Sequence, residues 1–148
     1  MSKYERYYDK GQLEPLLELF HDECVVDYDV LGSIRGKAEM RKFLEEYFTG
    51  KTDIQDCFHM IVNPWVEING NEAIGRFHFF GVYIFKDIGA VWLVGFYKNK
   101  FVKENGKWKI KELRWEAKYI SPYSEGWEKK PFADKYLHMK LKKAAEKD

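Results

Sequence analysis

Two Asn-Gly pairs, Asn69-Gly70 and Asn105-Gly106, constrain the fold of this chain more than any other feature. Asn and Gly tolerate the left-handed backbone that a tight two-residue turn demands, so each pair flanked by strand-like sequence predicts a hairpin. Cys57–Ile68 and Glu72–Phe85 flank the first pair; Val91–Lys103 and Lys107–Tyr119 flank the second, where Trp108 and Ile110 alternate with lysines. A loop at Asp87-Ile88-Gly89 joins the two hairpins. Four long segments in this order predict an antiparallel sheet. Pro64 lies within the first of them and has no N–H to donate, which predicts an edge position or a bulge.

The chain ahead of these strands reads as helical. Residues 2–10 form a short helix stopped at Gly11. Leu13, Leu16, Leu17 and Phe20 recur at helical spacing, with Pro15 tolerated in the first turn. Cys24–Tyr28 reads as a strand. From Gly36 the sequence returns to a helical period, through Met40, Phe43, Leu44 and Tyr47, until Gly50. A few helices followed by long strands predict an α+β fold with helices on one face of the sheet. No linker or repeat divides the chain. We expect one domain over residues 1–148, with 122–148 a C-terminal extension in which Phe132, Tyr136 and Met139 mark a weak helical face among lysines.

Composition narrows the function. Aromatic residues make up 18% of the chain, more than an ordinary core needs, and this points either to an aromatic-lined cavity or to a broad subunit interface. An aromatic-rich sheet is the plainer explanation. The 25 basic and 24 acidic residues nearly cancel, which argues against nucleic acid or an anionic membrane as partner. Cys24 and Cys57 sit in apolar runs and read as small hydrophobes rather than a disulfide framework. With a charged N-terminal stretch and no membrane-length apolar run, the expected compartment is cytoplasmic.

The four histidines show no metal-ligand spacing, and no phosphate loop or nucleophile elbow occurs, so neither metal nor cofactor is expected. His59 is the informative one. It lies in the apolar run His59-Met60-Ile61-Val62, and a buried neutral imidazole is a competent base near neutral pH when a carboxylate orients its second nitrogen. Asp9, at the end of the first helix, is the candidate partner. Taken singly, His59 is a core histidine and Asp9 a surface or capping carboxylate. Tyr4 and Tyr8 flank Asp9 and are either hydrogen-bond donors to a substrate oxygen or core aromatics. Phe77, Phe79 and Tyr83 alternate to one side of their strand and, with Trp115 on the last long strand, form the expected substrate pocket; Arg76 and His78 then point outward.

Four stretches carry a family resemblance: Tyr4–Asp9 with Leu13–Phe20; Cys24–Tyr28 with Gly36-Lys37-Ala38; His59-Met60 with Pro64 and the Asn-Gly hairpin; and Gly95-Phe96-Tyr97 through Asn105 to Ile110. Together they resemble the SnoaL-like branch of the nuclear-transport-factor-two-like superfamily. The resemblance implies a cone-shaped, highly curved antiparallel sheet wrapped around helices. It also implies a cofactor-independent lyase of dehydratase type, or a polyketide-cyclase-like isomerising enzyme, acting on an apolar ring-containing substrate. Its lyases (bile acid 7α-dehydratase, scytalone dehydratase, hexachlorocyclohexane dehydrochlorinase) pair a strand histidine with an N-terminal aspartate. That pairing implies His59 as base and Asp9 as its orienting partner, with Tyr4 and Tyr28 as hydroxyl donors. Two family positions depart from the pattern. Gly81 stands where the bile acid enzyme has an aspartate, and Ala117, beside Lys118, where it has an arginine. The alternative is a non-catalytic ligand-binding or oligomerisation module. The apolar outer face carrying Trp92, Phe96 and Trp108 predicts a homodimer, with a homotrimer as the other option.

Overall fold

The computed structural model describes residues 1–146. Two short helices, α1 (Ser2–Asp9) and α2 (Leu13–Leu17), precede strand β1 (Phe20–Asp27) and the short strand β2 (Ser33–Arg35). Helix α3 (Lys37–Phe48) follows, then four long strands: β3 (Ile54–Asn69), β4 (Glu72–Phe85), β5 (Gly89–Glu104) and β6 (Lys107–Pro122). Helices α4 (Gly126–Lys129) and α5 (Asp134–Ala145) complete the order.

The six strands form one sheet in the order β2-β1-β6-β5-β4-β3. β1 departs from the antiparallel expectation and pairs parallel to β6, through Val25–Asp27 against Glu112–Arg114. Cys24–Tyr28 therefore lies across β6 from β5, with β2 outside it at the sheet edge. That long-range pairing has no local turn signature to betray it.

The two Asn-Gly pairs build different turns. Asn105 and Gly106 form the two-residue loop between paired Glu104 and Lys107, both with positive φ (+48° and +76°), as a primed hairpin turn requires. At the other hairpin Asn69 pairs with Glu72, so the loop is Gly70-Asn71, one residue later, with Gly70 at φ +58°. β3 is an edge strand, and its register with β4 shifts between Val62 and Trp65. Pro64 falls in that irregular stretch, where its missing N–H breaks no ladder bond.

The period-two alternation sets the two faces. Along β4, Phe77, Phe79, Tyr83 and Phe85 are buried while Arg76, His78, Val82 and Ile84 are exposed. Leu16, Leu17, Met40 and Leu44 bring α2 and α3 into the same core. α5 joins it through Tyr136, whose ring lies 5.8 Å from that of Phe85. Lys140 and Lys143 tie this helix to Asp29, at 3.2 Å each. The outer face keeps Phe58, Trp65 and Phe96 exposed, whereas Trp92 is partly covered by Phe80, Tyr123 and Trp127. Trp108, expected on that face, instead shares the side of β6 that carries Ile110 and lies with Met1, Tyr7 and Phe101 at the open end of the inner face.

Gly95 permits the tightest contact in the interior. A Cβ at this position would meet the Glu116 carbonyl oxygen at 2.2 Å and Trp115 Nε1 at 2.7 Å. Backbone oxygen cannot swing away, so Gly95→Ala should destabilise the fold by roughly 3 kcal/mol, the upper end of overpacking costs. A urea midpoint within experimental error of the unmodified chain would refute that expectation.

Candidate active site

α1 lies along the edge strand β3 and supplies what an edge lacks. Alternate N–H groups of β3 face away from β4 and have no ladder partner. Glu5 and Asp9 are four residues apart and share one face of α1, while His59 and Ile61 are two apart and share one side of β3. Glu5 Oε2 accepts the Ile61 N–H at 3.0 Å, and Asp9 Oδ2 accepts the His59 N–H at 3.1 Å. Asp9 is therefore held by the strand it serves.

Its other oxygen, Oδ1, accepts a short hydrogen bond from His59 Nδ1. The His59 side chain is 3% exposed and the Asp9 side chain 16%. A carboxylate on Nδ1 fixes the proton there, leaving Nε2 as the free acceptor. Tyr83 donates its hydroxyl to that nitrogen at 2.8 Å. Gly81 makes this possible. It is the register partner of His59, and a Cβ there would come within 2.7 Å of both the Phe79 and Tyr83 rings. The absence of a side chain at Gly81 leaves room for the Tyr83 phenol to reach the base.

The His59 imidazole borders a small, partly open cavity of about 40 Å³. Its polar wall is tyrosine: Tyr4, Tyr8, Tyr28, Tyr83 and Tyr97. Tyr4 and Tyr28 are joined hydroxyl to hydroxyl at 2.9 Å. Burial pushes the phenols of Tyr4, Tyr8, Tyr28, Tyr83 and Tyr97 well above the ordinary tyrosine range, so all five stay protonated donors at neutral pH. Phe79, Phe43, Leu93 and Trp115 supply apolar wall.

The sequence-derived site residues thus divide. Tyr4, Tyr28, His59, Phe79, Tyr83 and Trp115 line one cavity, and Asp9 stands behind His59 without lining it. Phe77 does not join them: it is buried but lies toward Gly75 and Phe101, where the glycine gives its ring room. Parity alone set Phe77 on the inner face, and parity does not say how far along the strand the cavity extends. Tyr97 and Phe43 were not anticipated; the inward parity of Gly95-Phe96-Tyr97 was the available signal for the first.

Cys57 stands two residues before His59 on the same side of β3. Its Sγ lies 2.8 Å from Tyr47 Oη and 3.8 Å from His59 Nδ1. Asp9, Cys57 and His59 present three metal-ligating atoms within 4.8 Å of one another. Each of these atoms already has a hydrogen-bond partner, and burial pushes the thiol up to about 12. The arrangement is a proton network around a neutral thiol. Among the described residues no helix is long and apolar enough to cross a membrane.

Comparison with known proteins follows the geometry. A family model described as a SnoaL-like domain matches residues 1–114. A provisionally named scytalone dehydratase from Novosphingobium aromaticivorans superposes with a TM-score of 0.72 at 25% identity, over 83% of this chain and 82% of that one. Hexachlorocyclohexane dehydrochlorinase LinA-type3 from Novosphingobium barchaimii gives 0.73 at 16% identity, over 83% and 84%. A Mycobacterium tuberculosis protein of unknown function gives 0.69 at 18% identity, over 99% of this chain and 84% of its own. The last two likenesses concern the fold. None of the curated proteins compared matches the chain.

Proposed function

The chain belongs to the SnoaL-like domain family, and on that premise we propose that it is a cofactor-independent small-molecule lyase whose general base is His59. The observation that carries the reading is the double grip of Asp9 on His59, through Nδ1 and the backbone N–H, which leaves Nε2 toward a small aromatic-lined cavity. A dehydratase and a dehydrochlorinase among the structural relatives support elimination as the reaction type.

The step follows from the geometry. Substrate displaces the Tyr83 hydroxyl from Nε2, and the nitrogen lone pair takes a carbon-bound proton. The C–H electrons form the new π bond as the adjacent leaving group departs with its own electron pair. Asp9 stabilises the imidazolium that results, and Nε2 then returns the proton to the departed group. Tyr4 or Tyr28, whose hydroxyls are bonded to each other, donates to the substrate oxygen that gains charge and stabilises it. A cyclase-like ring closure begins with the same abstraction and is told apart by its product.

The cavity sets a condition on this chemistry. An engineered apolar cavity that admits benzene measures about 150 Å³, far above the 40 Å³ here. Ring side chains, Tyr83 first, must move for any ring to enter. The same closure favours a second reading, a ligand-binding module. Incubation with neutral ring ketones in D₂O separates the two. Proton NMR should show protein-dependent exchange of the carbon-bound proton beside the carbonyl. Binding without exchange would assign the protein to the second reading.

Two further proposals attach. The exposed Phe58, Trp65 and Phe96 on the outer sheet face fit a homodimer, with a trimer as the other assembly. Light scattering should return a multiple of the 17.7 kDa chain mass, and a monomeric mass would refute it. Both cysteines are free, which suits a reducing, cytoplasmic setting.

A further inference from the structure

On the Nδ1 side of His59, three different metal-ligating groups converge. Asp9 Oδ1, His59 Nδ1 and Cys57 Sγ lie within 4.8 Å of one another, and Cys57 Sγ stands 3.8 Å from Nδ1. The fold sets this spacing. Cys57 and His59 are two apart on one side of β3, and Asp9, the last residue of α1, is laid against the same edge. On a tetrahedral zinc, with bonds of about 2.0 Å to nitrogen and about 2.3 Å to sulfur, those two ligands sit roughly 3.6 Å apart. Cys57 and His59 already have nearly that separation. The Asp9 carboxylate alone must draw back from Nδ1, to about 3.3 Å by the same geometry. It ends a short helix and is partly exposed, as is Cys57, so an ion reaches the group from the sheet edge without crossing the cavity.

The surroundings suit a cation. The charges acting on the Cys57 thiol are those of Asp9 and Asp56, both negative. Tyr47 Oη lies 2.8 Å from Sγ, and burial keeps that phenol protonated, so a donor stands ready for a thiolate. A divalent ion held by one thiolate and one carboxylate leaves the site neutral overall, which lowers the cost of burying it.

We propose that Asp9, Cys57 and His59 form an inhibitory site for a thiophilic divalent cation, Zn²⁺ being the type, and that the ion acts by taking Nδ1 and so removing the lone pair of Nε2. Before the ion binds, Nδ1 carries the ring proton and Cys57 its thiol proton. The S–H bond breaks as the bond from sulfur to the ion forms, and that proton leaves to solvent. Nδ1 gives its lone pair to the ion once its own proton has passed through water to Nε2. One proton is released for each ion bound. Nε2 is then a donor with nothing to offer a carbon-bound proton. Water completes the fourth position. Sulfur and imidazole ligands select Zn²⁺ over Mg²⁺ or Ca²⁺, which seek oxygen. Binding stands on the geometry alone, whereas inhibition of turnover rests on the lyase reading.

The test applies Co²⁺ and then Zn²⁺ to the full, reduced chain. Co²⁺ should bind one ion per chain, with thiolate-to-cobalt absorption in the near ultraviolet and the visible bands of a tetrahedral ion. One equivalent of Zn²⁺ should abolish both, and Mg²⁺ neither. In histidine ¹⁵N spectra, with the His59 signals assigned by His59→Asn, Zn²⁺ should move the ring proton from Nδ1 to Nε2. Tyr47→Phe, which removes an outer partner, should weaken binding roughly 10-fold, and Cys57→Ser by more. Saturating Zn²⁺ should slow ketone exchange in D₂O by at least about 10-fold, the low end of what a lost base costs, and a chelator should restore it. A missing near-ultraviolet band, a band that survives Cys57→Ser, or a ring proton that stays on Nδ1 at saturation would each overturn the proposal. The first and third readouts need no altered ligand, so a Cys57→Ser chain that failed to fold would not rescue it. A Cys57-dependent band with the proton on Nε2, in a chain that exchanges no ketone, would uphold the site and sink the lyase reading alone. Exchange that continued with Zn²⁺ bound would overturn the inhibition and the assignment of His59 as base together.

Discussion

His59→Ala should lower kcat by about 10³-fold on any substrate that the protein turns over, within the usual range for loss of a positioned general base. The imidazole contributes Nε2 to the chemistry and little to substrate contact, so KM should change by no more than roughly threefold. Asp9→Asn is the more diagnostic companion. It keeps the size of the side chain, but an amide group can donate to Nδ1 as readily as accept from it. The tautomer with its proton on Nε2 then becomes accessible, and that tautomer has no lone pair to offer the substrate. A loss of about 10²-fold or more in kcat is expected, without a matching loss of stability, since the amide oxygen can still accept the His59 backbone N–H. Steady-state kinetics and a urea melt on both variants decide the matter. If His59→Ala retained a tenth of the activity, the base would lie elsewhere. A fall in activity that merely tracked a fall in stability would also remove His59 from the mechanism.

How much of this site could be read from sequence depends on which physical signal each residue leaves. His59 and Asp9 are fifty positions apart, and nothing in periodicity links them; the link came from the family pattern. What joins them physically is the match between a four-residue helix spacing and a two-residue strand spacing, through Glu5 and Asp9 against Ile61 and His59. That match shows only once α1 is seen to lie on the sheet edge. Tyr83 was legible as an inward aromatic, but its bond to Nε2 depends on Gly81, the register partner of His59, having no side chain. A glycine in a strand signals close approach without saying by what. Phe77 was overread, because alternation gives the face and not the position along it. The hairpins were legible because their turns are local. The parallel pairing of β1 with β6 joins residues more than eighty positions apart and leaves no local trace. The grouping of Cys57 with Asp9 and His59 is the least legible of all, since the three ligating atoms meet only once α1 is docked on the edge of β3.

The same five phenols that make the cavity a set of donors should make the fold fail abruptly in alkali. Tyr4, Tyr8, Tyr28, Tyr83 and Tyr97 all have folded-state pKa values raised first of all by burial. In the unfolded chain each ionises near pH 10. Below that pH both states hold the five protons, and the buried tyrosines leave stability independent of pH. Above it the unfolded chain releases protons that the folded chain retains, so stability falls as pH rises, by up to about 7 kcal/mol per pH unit when all five differ. A domain of this size has about 5–15 kcal/mol in total. Cooperative unfolding between about pH 10.5 and 12 is the expected result, with far-ultraviolet circular dichroism and tyrosinate absorbance at 295 nm changing together. Tyr83→Phe removes one of these protons and should lower the slope by about 1.4 kcal/mol per pH unit. Absorbance that rose through pH 10 to account for every tyrosine, while the dichroism held, would mean that the phenols reach water in the folded state. The cavity would then be wet, and the weight given to its hydroxyls as strong donors near His59 would fall with it.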